Sequence, residues 1–323
     1  MVPEPFLSII VVVYDMQREA PRTLHALSVG YQEGVREDQY EVLVIENGSK
    51  APLSASQVLK AGSNFRYTYL TDAPPSPVKA MNLGIGMARG KYLGYMIDGA
   101  RIATPGLIRT ALLGLRIFPR PIVATLAWHL GSEVQRKAVR RGYNQDVEDQ
   151  LLNRIGWPNA GYDLFRIGTL AESSAPGFFL PIVESNAIFL SRSMTDELGG
   201  YDERFDMAGG GLANVDFYTR ACKLPDSELV VLLGEGTFHQ IHGGIATNAS
   251  GGSDYRDRAF FQYTSIRGHD FRGPDKQPIY LGHVPKQSLP SMLESVEKAL
   301  PGKRPARLVS ALASRLKRQG SVL

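Results

Sequence analysis

Short apolar runs alternate with longer amphipathic stretches over the first hundred residues. Ser8-Ile9-Ile10-Val11-Val12-Val13-Tyr14 is continuous and rich in β-branched residues, the pattern of a strand buried on both faces. A helix with Leu24, Leu27 and Tyr31 on one side follows, then a strand at Tyr40 to Ile45, a helix near Ser54 to Ala61 and an alternating strand at Phe65 to Leu70. Pro77 opens a further helix with Met81, Ile85 and Ala88 on one face and Gly90 as its stop, and Lys91 to Ile97 reads as a fourth strand. Repeated β-α units of this length predict an α/β fold: a mainly parallel sheet with helices on both faces. Beyond Pro105 the pattern gives a helix over Ile108, Ala111, Leu112 and Leu115, strands at Ile122 to Leu126 and Ala187 to Leu190, a glycine loop at 209 to 211 and a helix at Val215 to Ala221. The last segment is proline-punctuated from about Gly282. It ends in a helix with Leu308, Leu312 and Leu316 on one side and Arg307, Arg315, Lys317 and Arg318 around it. Such a basic amphipathic helix fits peripheral contact with an anionic membrane, and equally a helix packed on its own domain or a frayed tail.

Ligands of open α/β sheets gather outside the carboxyl ends of the strands. The residues there are Asp15, Glu46-Asn47-Gly48-Ser49, Thr71-Asp72 and Asp98-Gly99-Ala100-Arg101. Singly, these are ordinary turn formers. As a set, they suit a ligand rich in hydroxyls and N–H donors.

Composition narrows the classes. A chain of 323 residues with 43% hydrophobic content can bury a large core. The single Cys222 excludes a disulfide framework and a cysteine zinc cluster. No apolar run approaches the about 18 residues of a membrane span, and the first is too short for a signal peptide, so the expectation is a cytoplasmic protein. A net charge of +4 and a pI near 9.0 are compatible with several anionic partners and select none. The basic run Gln135-Arg136-Lys137-Ala138-Val139-Arg140-Arg141 reads as a solvated face.

Four segments in order resemble the glycosyltransferases of the GT-A fold, in particular the inverting group numbered family 2. They are LSIIVVVYDM with the following Arg18, YEVLVIENGS, SPVKAMNLGIGMARGKYLGYMIDGARIATPGLI and ELGGYDERFDMAGGGLANVDFYTRA, together spanning roughly residues 7 to 222. The resemblance implies a Rossmann-like sheet and a nucleotide-diphosphate sugar donor, of uridine type or similar. It places a nucleotide-sugar half at 1–105, an acceptor half of the same domain at 106–245 and a partly helical C-terminal extension at 246–323. By the resemblance, Glu46 reads the base, the Val13-Tyr14-Asp15 turn cradles it, and Lys79 and Asn82 lie near the ribose and diphosphate. Asp98, with Gly99 beside it, matches the first aspartate of the family's Asp-X-Asp motif, which holds a divalent cation, Mn or Mg, on the two phosphates. His239 and His242, in the glycine-flanked segment Gly234 to Gly244, are similar to the histidine that follows the last strand in metal-using members.

Two departures bear on mechanism. The second aspartate of the motif is Ala100, which leaves either a cation held by Asp98, phosphates, water and a histidine, or no cation, with Arg101 neutralising the phosphate. The family's early base position falls at Asn214, within Ala213-Asn214-Val215-Asp216, and an amide cannot accept the acceptor's proton. Asp216 or Glu184 then serves as base, or the enzyme retains configuration, or the site is inactive. Asp216 reads equally as a helix cap. Glu184, Ser185, Asn186 and the 209–216 loop form the expected acceptor side, and the acceptor is a hydroxyl of unknown kind. The rivals are an inactive nucleotide-sugar-binding or assembly subunit and a sugar nucleotidylyltransferase, whose glycine- and arginine-rich first loop is missing from Val13-Tyr14-Asp15-Met16-Gln17. Nucleic acid is not an expected partner, because the basic residues are scattered without interleaved aromatics.

Overall fold

A computed structural model describes residues 4–243 and 252–300 of the chain. The first half runs β1 (Leu7–Val13), α1 (Glu19–Ala26), β2 (Tyr40–Glu46), α2 (Ala55–Leu59), β3 (Phe65–Tyr69), α3 (Val78–Met87) and β4 (Tyr92–Met96). Then come β5 (Arg101–Ala103), α4 (Leu107–Ile117), β6 (Pro121–Leu130), α5 (Gln135–Arg140), α6 (Gln145–Arg154), α7 (Leu164–Ile167), β7 (Gly168–Leu170), β8 (Ile188–Ser191), α8 (Arg192–Leu198), α9 (Ala213–Cys222) and β9 (Glu228–His239). The C-terminal part supplies α10 (Gly252–Arg267), β10 (Ile279–Gly282) and α11 (Leu289–Ala299).

All these strands belong to one mixed sheet of order β10-β9-β6-β8-β4-β1-β2-β3, with β5 on β9 and β7 on β6. β1 to β4 are parallel to one another, as are β6, β9 and β10, and the antiparallel β8 joins the two sets. β1, β2, β4 and β6 are buried along their whole length, which is why their sequences read as continuous apolar runs rather than as alternation. Within the second set, Trp128 of β6 stacks on Phe238 of β9 with centroids 5.4 Å apart.

Several boundaries differ from the sequence pattern for local reasons. α1 ends at Ala26, so Leu27 and Tyr31 pack into the core from the turns that follow it. Gly90 is not the stop of α3, which ends at Met87; a Cβ at Gly90 would lie 2.7 Å from the Ser8 nitrogen, so the glycine permits close approach to β1. β6 runs four residues past Leu126 because β9 and β7 supply its pairing there. The C-terminal extension contributes a sheet strand, β10, as well as helices. The basic helix expected around Leu308, Leu312 and Leu316 lies outside the described residues. No helix among the described residues is long and apolar enough to cross a membrane.

The reversal at β8 shapes the ligand edge. Ile188 pairs with Tyr95 near the end of β4, so the residues before Ile188 run on beyond the carboxyl end of β4, the side on which Asp98 lies. Glu184, Ser185 and Asn186 stand on that stretch.

Candidate active site

Asp98 follows β4, and its neighbours come from β5, β9 and the turn after β9. Antiparallel pairing sets Arg101 opposite His239. Asp98 Oδ2 lies 2.9 Å from His239 Nε2 and 3.3 Å from Arg101 Nη2, while Oδ1 lies 3.8 Å from His242 Nε2. The two imidazoles meet with Nε2 to Nε2 at 3.1 Å. Burial opposes ionisation of Asp98, but His239 and Arg101 outweigh it and hold the carboxyl well below the usual range. Burial pushes the His239 imidazole down, against the pull of Asp98. Arg101 Nε and Nη1 are buried without a partner among the described residues. Two guanidinium donors are thus left for an oxyanion.

Asp98, His239 and His242 can each turn one ligand atom to a common point, with the three atoms all within 4.8 Å of one another. A carboxylate with two imidazole nitrogens fits a borderline divalent ion such as Mn2+ better than Mg2+, which prefers an oxygen shell. Ala100 is fully buried, and its carbonyl accepts the Gln240 N–H at 2.8 Å. A carboxylate there would sit inside the sheet, so histidine nitrogens are the available further ligands. Gly99 carries a close approach: a Cβ would lie 2.7 Å from the Val12 carbonyl oxygen.

The remaining residues of the expected donor site are arranged unevenly. Val13 is buried, Tyr14 is 50% exposed, and Asp15 holds a positive φ of 48° while Oδ1 accepts the Lys50 N–H at 2.8 Å. Glu46 is only 1% exposed and binds its own loop, with Ser49 Oγ donating to Oε1 and the Leu53 N–H to Oε2 at 3.1 Å. Burial raises its carboxyl despite those two bonds. Lys79 is exposed on the first turn of α3. The Asn82 amide is engaged away from Asp98: its oxygen accepts the Tyr201 N–H at 3.0 Å, and its nitrogen donates to the Tyr201 carbonyl at 2.9 Å and to Glu203 Oε1 at 3.0 Å.

On the acceptor side, Asn214 Nδ2 donates to Glu184 Oε1 at 2.7 Å and to the Ser185 carbonyl at 3.0 Å, and its oxygen accepts from Tyr201 Oη at 3.1 Å. Glu184 is half-buried, and its second oxygen has no partner among the described residues. Asp216 is 1% exposed beneath two guanidiniums. Arg220 Nε reaches Oδ2 at 2.8 Å, and Arg267 of α10 reaches Oδ1 and Oδ2, each at 2.6 Å. Its oxygens face α9 and α10, with no N-cap bond for α9.

Two further residues, His129 and Gln135, complete the cluster around His239. His129 closes β6 in register with His239 and is pushed down to about 3 by burial and by its neighbours His239 and Arg101. Gln135 is fully buried with its Oε1 2.6 Å from His239 Nδ1, although the sequence pattern put it in a solvated basic run. The clue for His129 is the one that marked Asp98, a polar residue near the carboxyl end of an apolar strand.

No protein-family model and no curated protein matches the chain. Among solved structures, S. aureus TarS residues 1–349 in complex with UDP-GlcNAc aligns with a TM-score of 0.51 at 13% identity, over 82% of this chain and 68% of that one. The fold is of the GT-A glycosyltransferase type. Two further similar structures are a longer S. aureus TarS (TM-score 0.48, 13% identity, 73% of this chain) and the mannosyltransferase PcManGT from Pyrobaculum calidifontis in complex with GDP-Man and Mn2+ (0.49, 15%, 97% of this chain and 80% of that one). The chain spans 36% of the length of that longer TarS. In this GT-A frame the Asp98 group occupies the carboxyl edge of the sheet, beside the β4–β8 reversal.

Proposed function

We propose that the chain transfers a sugar from a nucleotide-diphosphate donor, of uridine type, to a hydroxyl acceptor. The observation that carries this reading is the convergence of Asp98, His239, His242 and the partly unpaired Arg101 guanidinium at one point of the sheet's carboxyl edge. A GT-A frame and the UDP-GlcNAc held by the TarS fragment support the donor class. The nucleotide lies over Val13, Tyr14 and Asp15 with Tyr14 exposed to its base, and Lys79 and Arg101 face its phosphates. Glu46 shapes the loop beneath the base rather than reading the base directly. A divalent cation on Asp98, His239 and His242 would neutralise charge building up on the departing diphosphate. Arg101 does the same through hydrogen bonds to phosphate oxygens.

Glu184 takes the acceptor's proton. Asn214 cannot accept one, but its amide hydrogen bond orients Glu184 Oε1 and leaves the other oxygen for the acceptor. Asp216 acts as a counter-charge between α9 and α10. The second reading, an inactive nucleotide-sugar-binding subunit, is favoured by the burial of Glu46 and by Ala100 in place of a ligand.

A panel of nucleotide sugars, with and without Mn2+ and EDTA, separates the two when donor hydrolysis is followed by mass spectrometry. Turnover of one donor supports the enzyme, and tight binding without turnover supports the subunit. Asp98→Ala is expected to weaken donor binding in Mn2+ by about tenfold or more; unchanged binding would remove the phosphate end from Asp98. Glu184→Gln should slow turnover by about 10²-fold or more with donor affinity retained. Adding Asn214→Asp, which returns a carboxylate beside the same spot, should recover part of the loss. Wild-type turnover in Glu184→Gln assigns the base elsewhere.

A further inference from the structure

Gln135 stands at the start of α5, in a stretch whose other long side chains are charged. Its own side chain is fully buried. Its backbone N–H donates to His129 Nδ1 at 2.8 Å, which anchors the first turn of α5 to the end of β6. Its Oε1 lies 2.6 Å from His239 Nδ1. An amide oxygen only accepts, so this contact requires the imidazole proton on Nδ1. In the neutral ring the other nitrogen then carries a lone pair, and that nitrogen is the one 2.9 Å from Asp98 Oδ2 and 3.1 Å from His242 Nε2. A lone pair and a carboxylate oxygen facing each other at that distance leave an electron-rich gap that a cation fills.

We infer that Gln135 is a positioning residue: its side-chain oxygen holds the proton of His239 on Nδ1 and so keeps Nε2 as a ligand atom turned toward Asp98 and His242. The inference rests on the proposed donor site. The opposite orientation of the amide would put its NH2 against Nδ1 and move the ring proton to Nε2. There it would donate to Asp98 and cap the ligand atom. The two arrangements therefore predict opposite behaviour.

The test compares the full-length wild type with Gln135→Ala and Gln135→Glu by Mn2+ titration calorimetry, with circular dichroism melts to check folding. Long-range 15N correlation spectra of the metal-free imidazoles locate the His239 proton. Gln135→Ala should bind Mn2+ about 10 to 100-fold more weakly, the usual effect of losing such an outer partner. Gln135→Glu, which also accepts from Nδ1, should stay within a few-fold of wild type. The spectra should place the His239 proton on Nδ1 in both the wild type and Gln135→Glu. A folded Gln135→Ala with wild-type Mn2+ affinity, or a wild-type proton on Nε2, overturns the inference alone. A wild-type chain that takes no Mn2+ overturns the cation of the proposed function as well.

Discussion

Glu235 lies fully buried in β9, with the Thr104 hydroxyl donating to Oε2 at 2.5 Å and the Tyr162 hydroxyl to Oε1 at 2.8 Å. Burial pushes its carboxyl up to about 7, above the 4.5 of an unfolded chain. A raised acid keeps its proton in the folded state while the unfolded chain releases it. Its contribution is whole below about pH 4.5 and is lost as the pH rises toward 7. Glu235→Gln, which mimics the protonated form, should therefore stabilise the protein at pH 8 by on the order of 2–3 kcal/mol relative to wild type and show no gain at pH 4.5. Chemical denaturation at the two pH values checks this, and an equal effect at both would contradict it. At the candidate site, Arg101→Lys keeps the charge but loses the planar fork. Donor binding measured without metal should weaken about tenfold, because a point charge cannot supply the two buried donors that Arg101 has unpaired.

At the scale of elements, α10 is tied to the sheet domain by the buried Tyr263 and by charge. Arg267 bridges Asp216 of α9 and Asp202, the latter at 3.0 Å, and its guanidinium lies 5.5 Å from the Phe205 ring centroid. Without Arg267, Asp216 keeps Arg220 but loses two charge-assisted hydrogen bonds. Arg267→Ala should cost about 2 kcal/mol and speed amide exchange across α10 more than across β1; uniform exchange would show that α10 is held in some other way. A second clamp acts beneath the histidines. Glu148 of α6 accepts the Ile241 N–H at 2.7 Å while Arg18 reaches Oε1 at 3.2 Å, so the turn that carries His242 is held against α6 and the start of α1.

For the whole molecule, ligand atoms from Asp98, His239 and His242 meet only when the two parallel sets of strands are joined through β8 and when β5 pairs with β9. A cation bound there binds the folded state alone. Mn2+ at about a hundred times its dissociation constant should raise stability by about 2.7 kcal/mol, seen as a higher melting temperature that EDTA reverses. A melt indifferent to Mn2+ would leave Arg101 as the only phosphate charge at this point. The same scale explains what was legible in advance. β1, β2, β4 and the Asp98 corner were readable because a strand buried on both faces is mostly apolar and ends where polar residues resume. Gln135 was misread because its burial depends on α5 packing at the end of β6, not on its charged neighbours. The resemblance puts Asn82 near the ribose and diphosphate; in the fold the Tyr201 backbone takes both ends of its amide.

By itself the sequence determined the α/β plan, the positions of its first four strands along the chain and the corner at which Asp98 stands, since these follow from local hydrophobic period and turn chemistry. Only the tertiary structure decided what each polar group does there. Ala100 lies inside the sheet, Asp216 sits under two guanidiniums, and Glu184 receives the amide of Asn214. Hydrogen-bond partners and charge pairs are set by strand register and helix docking between residues far apart in the chain. No local pattern encodes those distances.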